Sequence, residues 1–159
     1  AVLDVDYHHG NGTQELFYKT KDVLVLSVHG DPTTNFPYFA GYPSETGEGD
    51  GLGYTMNLTL ERGTDGQTYL ELLDRHALPA LVANAPDVLV LSMGLDTYRL
   101  DPVGDFSLTT EDLNTVGERI GALGFPTVVV QEGGYYTPDL GLNATAMLRG
   151  LRNGQLRAH

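Results

Sequence analysis

Two carboxylates and an imidazole occupy alternate positions near the start of the chain, at Asp4, Asp6 and His8. The apolar pattern predicts a strand over residues 1–6, and alternate side chains of an extended chain point to one side. Converging carboxylates repel one another unless a positive charge lies between them. The spacing therefore indicates a metal ion at a strand end, although a capping Asp6 and a packed loop His8 would give the same pattern.

Two later polar residues also follow predicted strands. Asp96 comes after a strand predicted over residues 87–92, and Tyr135 comes after two glycines that follow a strand predicted over residues 127–130. The carboxyl ends of parallel strands meet at one edge of a sheet, where the ligands of open α/β sheets bind. We therefore expect both groups to lie near the first cluster.

The combined cluster suits a catalytic metal. Asp6, His8 and Asp96 would supply three ligands and leave room for water and a substrate oxygen. This set of oxygen and nitrogen donors fits zinc or ferrous iron, and such a metal polarises a carbonyl and activates water. The Tyr135 phenol could donate a hydrogen bond to a developing oxyanion. The alternatives are that Asp96 caps a helix and that Tyr135 is a buried aromatic side chain.

Strand and helix patterns alternate along the whole sequence. Thr13 is a candidate helix N-cap, Thr109 and Asp112 form a candidate capping box, and Pro79 is expected to kink its helix or to start a new turn. The alternation predicts one α/β domain over residues 1–159, with three α-β-α layers and a mainly parallel sheet. Strands are predicted over residues 1–6, 23–28, 54–60, 87–92 and 127–130, and helices over residues 13–19, 65–78, 109–123 and 139–151.

Composition restricts the classes of function. The chain has 159 residues, of which 41% are hydrophobic, and it contains no cysteine, which excludes disulfides and thiolate metal sites. The net charge of -12 argues against nucleic-acid binding and suits a metal or a small cationic partner. No segment approaches the roughly 20 apolar residues that span a membrane, and no signal peptide is visible, so a cytoplasmic protein without membrane contact is expected. His76 and His159 carry no signal of a site.

Three motifs together resemble those of the histone deacetylase family, in the arginase/deacetylase superfamily. Residues 4–18 resemble its zinc motif, Met93-Gly-Leu-Asp96 followed by Asp101-Pro102 resembles its second aspartate motif, and Glu132-Gly-Gly-Tyr135 resembles its glycine-tyrosine motif. The order and the rough separation of all three match, and the resemblance extends over nearly the whole chain. Residues 36–54 look closest to the bacterial acetylpolyamine amidohydrolase branch.

The resemblance implies the arginase/deacetylase α/β fold and zinc-dependent hydrolysis of acetylated polyamines or of acetyl-lysine. Tyr135 matches the tyrosine that stabilises the tetrahedral intermediate, and Phe39 matches an aromatic wall of the substrate channel. The zinc ligands are matched by Asp6, His8 and Asp96. A site for K+ or Na+ is matched by Asp4, Asp6, His8, Ser27 and Val28, and a second such site by Phe17, Thr20, Val23 and Tyr54.

The family also carries a tandem histidine pair, the general base and its partner, upstream of the zinc motif. This chain begins after that point, and His8-His9 belongs to the zinc motif instead. We therefore expect the C-terminal part of a catalytic domain, incomplete at its N-terminus and nearly inactive alone, because a general base contributes about 10²–10⁴-fold. A catalytically degenerate binding domain and a metal phosphoesterase are the alternatives. Residues 29–53 form a long predicted loop that could make a homodimer contact and shape the channel.

Overall fold

Five parallel strands form the centre of the protein. The computed structural model describes residues 1–158, and His159 lies outside the described residues. The strands pair in the order β3-β2-β1-β4-β5, and every pairing is parallel. The predicted α/β class with a parallel sheet is therefore confirmed. The strands are β1 (Val2–Asp4), β2 (Val25–Gly30), β3 (Thr55–Leu60), β4 (Leu89–Met93) and β5 (Thr127–Gln131).

Five α-helices connect or follow these strands. A short π-helical segment, Leu73–Ala77, joins α2 to α3, and a 3₁₀ turn, Gly49–Gly51, lies in the long loop. Among residues 1–158, none of the helices is both long and apolar enough to cross a membrane. The helices are α1 (Asn11–Phe17), α2 (Gly66–Leu72), α3 (Leu78–Asn84), α4 (Thr110–Gly121) and α5 (Thr137–Ala158).

Helix ends follow the local chemistry of the chain, with one exception. Thr109 caps α4, since its hydroxyl accepts from the Asp112 amide while the Asp112 carboxylate accepts from the Thr109 amide, so the predicted capping box is confirmed. Pro79 starts a new turn at the beginning of α3, as expected, because a first-turn proline has no amide bond to lose. The predicted Thr13 cap is wrong, because α1 begins at Asn11 after an N-cap at Gly10.

The two faces of the sheet are covered to different extents. On one face Leu3, Leu26 and Leu91 lie side by side in neighbouring strands and are all fully buried. On the opposite face Val128 and Val130 of β5 are 53% and 42% exposed. Apolar packing therefore stabilises the sheet mainly through the face that carries Leu3, Leu26 and Leu91.

Close packing of α4 against α5 fixes the segment that follows β5. A β-carbon on Gly150 of α5 would overlap the carbonyl oxygen of Asn114 in α4, so glycine allows the two backbones to approach closely. The Asn114 side chain donates to the carbonyl of Ala146 at 3.0 Å. Because α5 begins at Thr137, two residues after Tyr135, this packing anchors the helix into which the Tyr135 segment leads.

A buried polar network orders the long loop between β2 and β3. His29 donates from Nε2 to the carbonyl of Gly41 at 2.8 Å, and the Gly41 amide donates to the Glu45 carboxylate at 2.8 Å. Gln14 of α1 donates to the same Glu45 carboxylate and accepts from the Asn57 side chain, both at 2.7 Å. The irregular segment predicted there is confirmed, and the polar bonds attach it to α1 and β3.

Candidate metal centre

The chain bends sharply after β1 and brings Asp6 and His8 together. The strand ends at Asp4, so the prediction that a strand runs through residue 6 is wrong. Two carboxylates build the bend instead: Asp4 Oδ1 accepts from the Asp6 amide at 3.0 Å, and Asp6 Oδ1 accepts from the His8 amide at 2.8 Å. Aspartate favours such local bonds to the backbone two residues onward. The residues predicted to converge do so, but through turns and not through strand alternation.

Asp96 reaches the same place from β4. The parallel pairing of β1 with β4 sets Asp4 opposite Ser92, so the loops after both strands leave the sheet together. Asp96 is fully buried, and its Oδ1 accepts from the Tyr7 amide at 2.8 Å. Its other oxygen, Oδ2, accepts from His8 Nδ1 at 2.9 Å. The predicted convergence of the residues after β1 with Asp96 after β4 is borne out by this geometry.

The three side chains present a donor set that fits one metal ion. One ligand atom from each of Asp6, His8 and Asp96 lies within 4.8 Å of the others. His8 Nδ1 is 3.2 Å from Asp6 Oδ1 and 2.9 Å from Asp96 Oδ2, close to the edge of about 3.4 Å that a tetrahedral zinc would impose. Two carboxylates and one imidazole leave a zinc with an open position, which is typical of catalytic sites.

The electrostatics of the cluster favour a positive charge between the two carboxylates. Hydrogen bonds to Asp6 and Asp96 raise the pKa of His8 to about 9, so a proton on His8 serves as the positive charge between the carboxylates. Burial raises the pKa of Asp96, and the charge of Asp6 adds to this effect. Burial also opposes ionisation of Asp6, but hydrogen bonds from the His8 side chain and amide outweigh it and lower the pKa of Asp6. A divalent ion would satisfy the same carboxylates more strongly than one shared proton.

The turn after β5 packs against the two carboxylates of the cluster. The Gly133 amide donates to Asp6 Oδ2 at 3.1 Å, and the Gly133 carbonyl accepts from the Leu95 amide at 2.8 Å. A β-carbon on Gly133 would lie 2.6 Å from Asp6 Oδ2 and 2.7 Å from Asp96 Oδ2, so only glycine fits beside both carboxylates. This contact places the Tyr135 turn against the metal-binding groups.

A cavity of about 380 Å³ opens above the cluster, with Asp6, His8 and Tyr135 in its lining. Burial raises the pKa of Tyr135, and the charges of Asp96 and Asp6 add to this effect. The phenol therefore stays protonated near neutral pH and can donate a hydrogen bond into the cavity. Asp6, His8 and Tyr135 thus line one cavity, and the fully buried Asp96 accepts a hydrogen bond from His8.

Aromatic side chains of the long loop flank the cavity. Phe36 lines it, with its ring centroid 6.2 Å from that of His8. Phe39, which the resemblance placed in the channel wall, is 90% exposed and contacts Tyr38 with a centroid distance of 6.5 Å. The structure therefore places Phe36 at the cavity, and the channel role of Phe39 stays a prediction.

The residues matched to the first monovalent-cation site lie behind the metal ligands. Asp4 of β1 pairs in register with Ser27 of β2, and both side chains are buried. Burial raises the pKa of Asp4 to about 7. Val28 follows Ser27 and is fully buried. The structure brings these residues together, and the cation assignment itself stays a prediction.

The residues matched to the second cation site lie around the end of α1. The Thr20 amide donates to the carbonyl of Phe17 at 3.2 Å, and the carbonyl of Tyr54 accepts from the Val25 amide at 2.9 Å. Val23 lies two residues before Val25, at the approach to β2. The role of these four residues in cation binding stays a prediction.

One contribution to the site escaped the sequence-based reasoning. Asp101 was noted only as part of a motif, yet its carboxylate holds the backbone of the Tyr135 turn. The bonds from Asp101 join residues 34 and 35 positions apart, and local pattern carries little signal for such contacts. The neighbouring His9, by contrast, has the structural role expected for a residue that points away from His8: it is 4% exposed and donates from Nε2 to Gln14 of α1 at 3.1 Å.

Fold and site together define an α/β protein with a cluster of candidate metal ligands at the carboxyl ends of its parallel strands. The profile of the histone deacetylase domain matches residues 1–151. The chain belongs to the histone deacetylase family.

The relatives include acetylpolyamine amidohydrolases and histone deacetylases. Acetylpolyamine amidohydrolase 1 of Pseudomonas aeruginosa is 48% identical over 150 residues, which cover 94% of this chain and 43% of that protein. Histone deacetylase 15 of Arabidopsis thaliana is 35% identical over 150 residues, covering 93% of this chain and 27% of that protein. The crystal structure of acetylpolyamine aminohydrolase from Burkholderia pseudomallei superposes with a TM-score of 0.93 at 47% identity, covering 96% of this chain and 44% of that one. The chain thus spans less than half the length of these relatives.

Proposed function

We propose that this chain supplies the metal-binding and oxyanion-binding half of a zinc-dependent deacetylase, which hydrolyses the amide of acetylated polyamines or of acetyl-lysine. The observation that carries the proposal is the convergence of Asp6, His8 and Asp96 within 4.8 Å, with Asp6 and His8 lining the same cavity as Tyr135. Membership of the histone deacetylase family supports the same chemistry.

Each side chain has a defined task in this reaction. Asp6, His8 and Asp96 would hold the metal, with ferrous iron as the alternative to zinc. When bound, the metal would supply Lewis acidity to the substrate carbonyl and lower the pKa of water. The Tyr135 phenol donates a hydrogen bond to the negative charge that develops on the carbonyl oxygen, a contribution of about 10²–10³-fold in such sites.

Acetylated polyamines are the favoured substrate class. The relatives at 46–48% identity carry the name acetylpolyamine amidohydrolase, whereas the plant histone deacetylase shares 35% identity. Asp4 and Glu132 add further carboxylates to the cavity lining, and the chain carries a net charge of -12. A negative potential of this kind attracts a substrate that retains free ammonium groups.

A metal phosphoesterase fits the site less well. Such an enzyme needs basic groups for phosphate and commonly uses two metals. Within residues 1–158 one cluster of metal-binding side chains is found, and neither lysine nor arginine lines its cavity. A deacetylase-like domain that binds acetylated amines without hydrolysing them remains the second candidate, because the donor set would hold metal and substrate carbonyl in either case.

Two further assignments belong to this proposal. The first is a pair of structural K+ or Na+ ions: one would lie near the zinc, held by Asp4, Ser27 and Val28 together with Asp6 and His8. The other would be held by Phe17, Thr20, Val23 and Tyr54. A homodimer contact through the long loop, which would shape the substrate channel, also stays a prediction.

Hydrolysis by a protein of the relatives' length that contains this chain tests the proposal. We expect zinc-dependent release of acetate from N-acetylputrescine, with slower release from an acetyl-lysine peptide, and recovery of activity when zinc is added after chelation. Binding of zinc and of acetylated amine without acetate release would favour the binding domain. Release of phosphate from a phosphate ester, without amide hydrolysis, would overturn the assignment.

A further inference from the structure

Tyr135 is held in place by its backbone and not by its ring. Its side chain is 53% exposed, and within residues 1–158 no other side chain hydrogen-bonds its hydroxyl. A phenol that must reach one oxygen atom needs a fixed backbone, because its ring has no other constraint. The groups that fix this turn therefore control the position of the donor.

The Asp101 carboxylate makes the bonds that fix the turn. Oδ2 accepts from the Tyr135 amide at 2.6 Å and from the Tyr136 amide at 3.1 Å. Oδ1 accepts from the amides of Val103 and Gly104 at 3.0 and 3.4 Å. Asp101 is 8% exposed, so these bonds form out of contact with bulk water. One carboxylate thereby ties the loop after β4 to the turn after β5.

The same two segments carry the metal ligand Asp96 and the phenol of Tyr135. Gly133 is held separately by Asp6 and by Leu95, which leaves the second half of the turn to Asp101. The distance from the phenol to the metal cluster is therefore set through one side chain that touches neither the metal nor the cavity.

We propose that Asp101 is a positioning residue for the deacetylation step: it fixes the backbone of Tyr135 so that the phenol meets the carbonyl oxygen of the substrate. This inference rests on the proposed function. Asparagine at this position has one acceptor oxygen, and its NH₂ group would face backbone N–H groups. It could therefore accept either from the amides of Val103 and Gly104 or from those of Tyr135 and Tyr136, but not from both pairs.

Asp101→Asn, in the zinc-loaded protein of the relatives' length, tests the inference through a double-mutant cycle with Tyr135→Phe. We expect Asp101→Asn to lower kcat for N-acetylputrescine by about 10- to 100-fold, because small misplacements of a catalytic group cost rate. KM and the zinc content per chain should stay unchanged. In the Tyr135→Phe background the same change should cost less than about threefold, because the group that it positions is already absent.

Asp105→Asn is the matched control, since Asp105 lies in the same loop with a 42% exposed carboxylate paired to Arg62. It should leave kcat unchanged. Equal losses from Asp101→Asn in both tyrosine backgrounds, or loss of zinc, would overturn the inference. An active enzyme unaffected by Asp101→Asn contradicts this inference alone, whereas an inactive zinc-loaded wild type contradicts the proposed function.

Hydrogen exchange on the unmodified protein gives a second test that needs no variant to fold. The amide protons of Tyr135 and Tyr136 should exchange slowly, because both are bound to a buried carboxylate. Exchange at the rate of an unstructured loop would show that Asp101 does not hold the turn.

Discussion

The candidate metal ligands and Tyr135 belong to one site but are fixed in opposite ways. Asp96 is fully buried, and both of its oxygens accept hydrogen bonds, from the Tyr7 amide and from His8. Tyr135 is 53% exposed, and its turn is held from outside the cavity by Asp101. The ligand cluster is thus part of the packed interior, whereas the proposed oxyanion donor, Tyr135, lies on an exposed turn whose backbone is held by Asp101.

This difference separates two properties of the site. Metal affinity depends on buried charges that face one another, whose energies are large and specific. Turnover depends in addition on the position of one exposed phenol, which can be lost without disturbing the metal. Changes in the two regions should therefore have distinct signatures, and the predictions below are chosen to break or sharpen that distinction.

The largest effect is expected from Asp96→Ala. Removing one of three protein ligands should reduce bound zinc from about one per chain to a trace, and hydrolysis should fall to background. Metal analysis after gel filtration measures the loss, with circular dichroism as a check on folding. Asp105→Ala removes an exposed carboxylate from the same loop and should retain zinc; stoichiometric zinc in Asp96→Ala would rule out its assignment as a ligand.

Tyr135→Phe should separate metal binding from turnover. Zinc should stay at about one per chain, while kcat falls about 10²–10³-fold because one donor to the oxyanion is lost. Tyr38→Phe removes the hydroxyl of another half-exposed tyrosine and should leave kcat unchanged. Unchanged turnover in Tyr135→Phe would show that another group stabilises the oxyanion.

The pH dependence of zinc binding should report the proton that His8 carries. Hydrogen bonds to Asp6 and Asp96 raise the pKa of His8 to about 9, and a ligand imidazole must be neutral. Below that pH zinc must displace a proton, so the apparent affinity should fall about tenfold for each unit of decreasing pH. Competition with a chromophoric chelator between about pH 6 and pH 8 measures the slope.

His76→Gln is the control, because His76 is exposed on the π-helical segment far along the chain and should not alter the slope of zinc affinity against pH.

The stability of the zinc-free protein should change with pH in the opposite direction to its zinc affinity. The charged His8 stabilises it fully below pH 6.5, and that contribution is lost as the pH rises through about 9. An affinity for zinc that does not change between the two pH values would contradict the protonated state of His8.

The smallest effect is expected from the loop aromatics. Phe36 lines the cavity, so Phe36→Ala should raise KM for N-acetylputrescine roughly tenfold at unchanged kcat, by removing apolar contact with the methylene chain. Phe39→Ala should change KM little if its ring stays as exposed in the complete enzyme. A larger effect from Phe39 than from Phe36 would restore the channel role implied by the resemblance.

Local chemistry accounts for what could be predicted from the sequence. Apolar runs bounded by polar turns marked all five strands, and Thr109 with Asp112 marked the start of α4, because both signals depend on neighbouring residues. The convergence of Asp6, Asp96 and Tyr135 followed from the rule that parallel strands present their carboxyl ends together.

Contacts between distant residues account for what could not. The bonds from Asp101 to the Tyr135 and Tyr136 amides join positions 34 and 35 residues apart, and no local pattern encodes them. The bend that sets His8 over Asp6 replaced the predicted strand because side-chain bonds to the backbone outcompeted extended pairing. The choice of Phe36 over Phe39 at the cavity depends on the path of an irregular loop.

X-ray absorption at the zinc edge tests the central claim most directly. The zinc-loaded protein should show one imidazole nitrogen and otherwise oxygen neighbours, all at roughly 2.0–2.2 Å, as expected for His8 with Asp6 and Asp96. The Tyr135→Phe variant should give the same spectrum, and Asp96→Ala should lose it. Two or more imidazoles per zinc, or a spectrum unchanged by Asp96→Ala, would contradict the account.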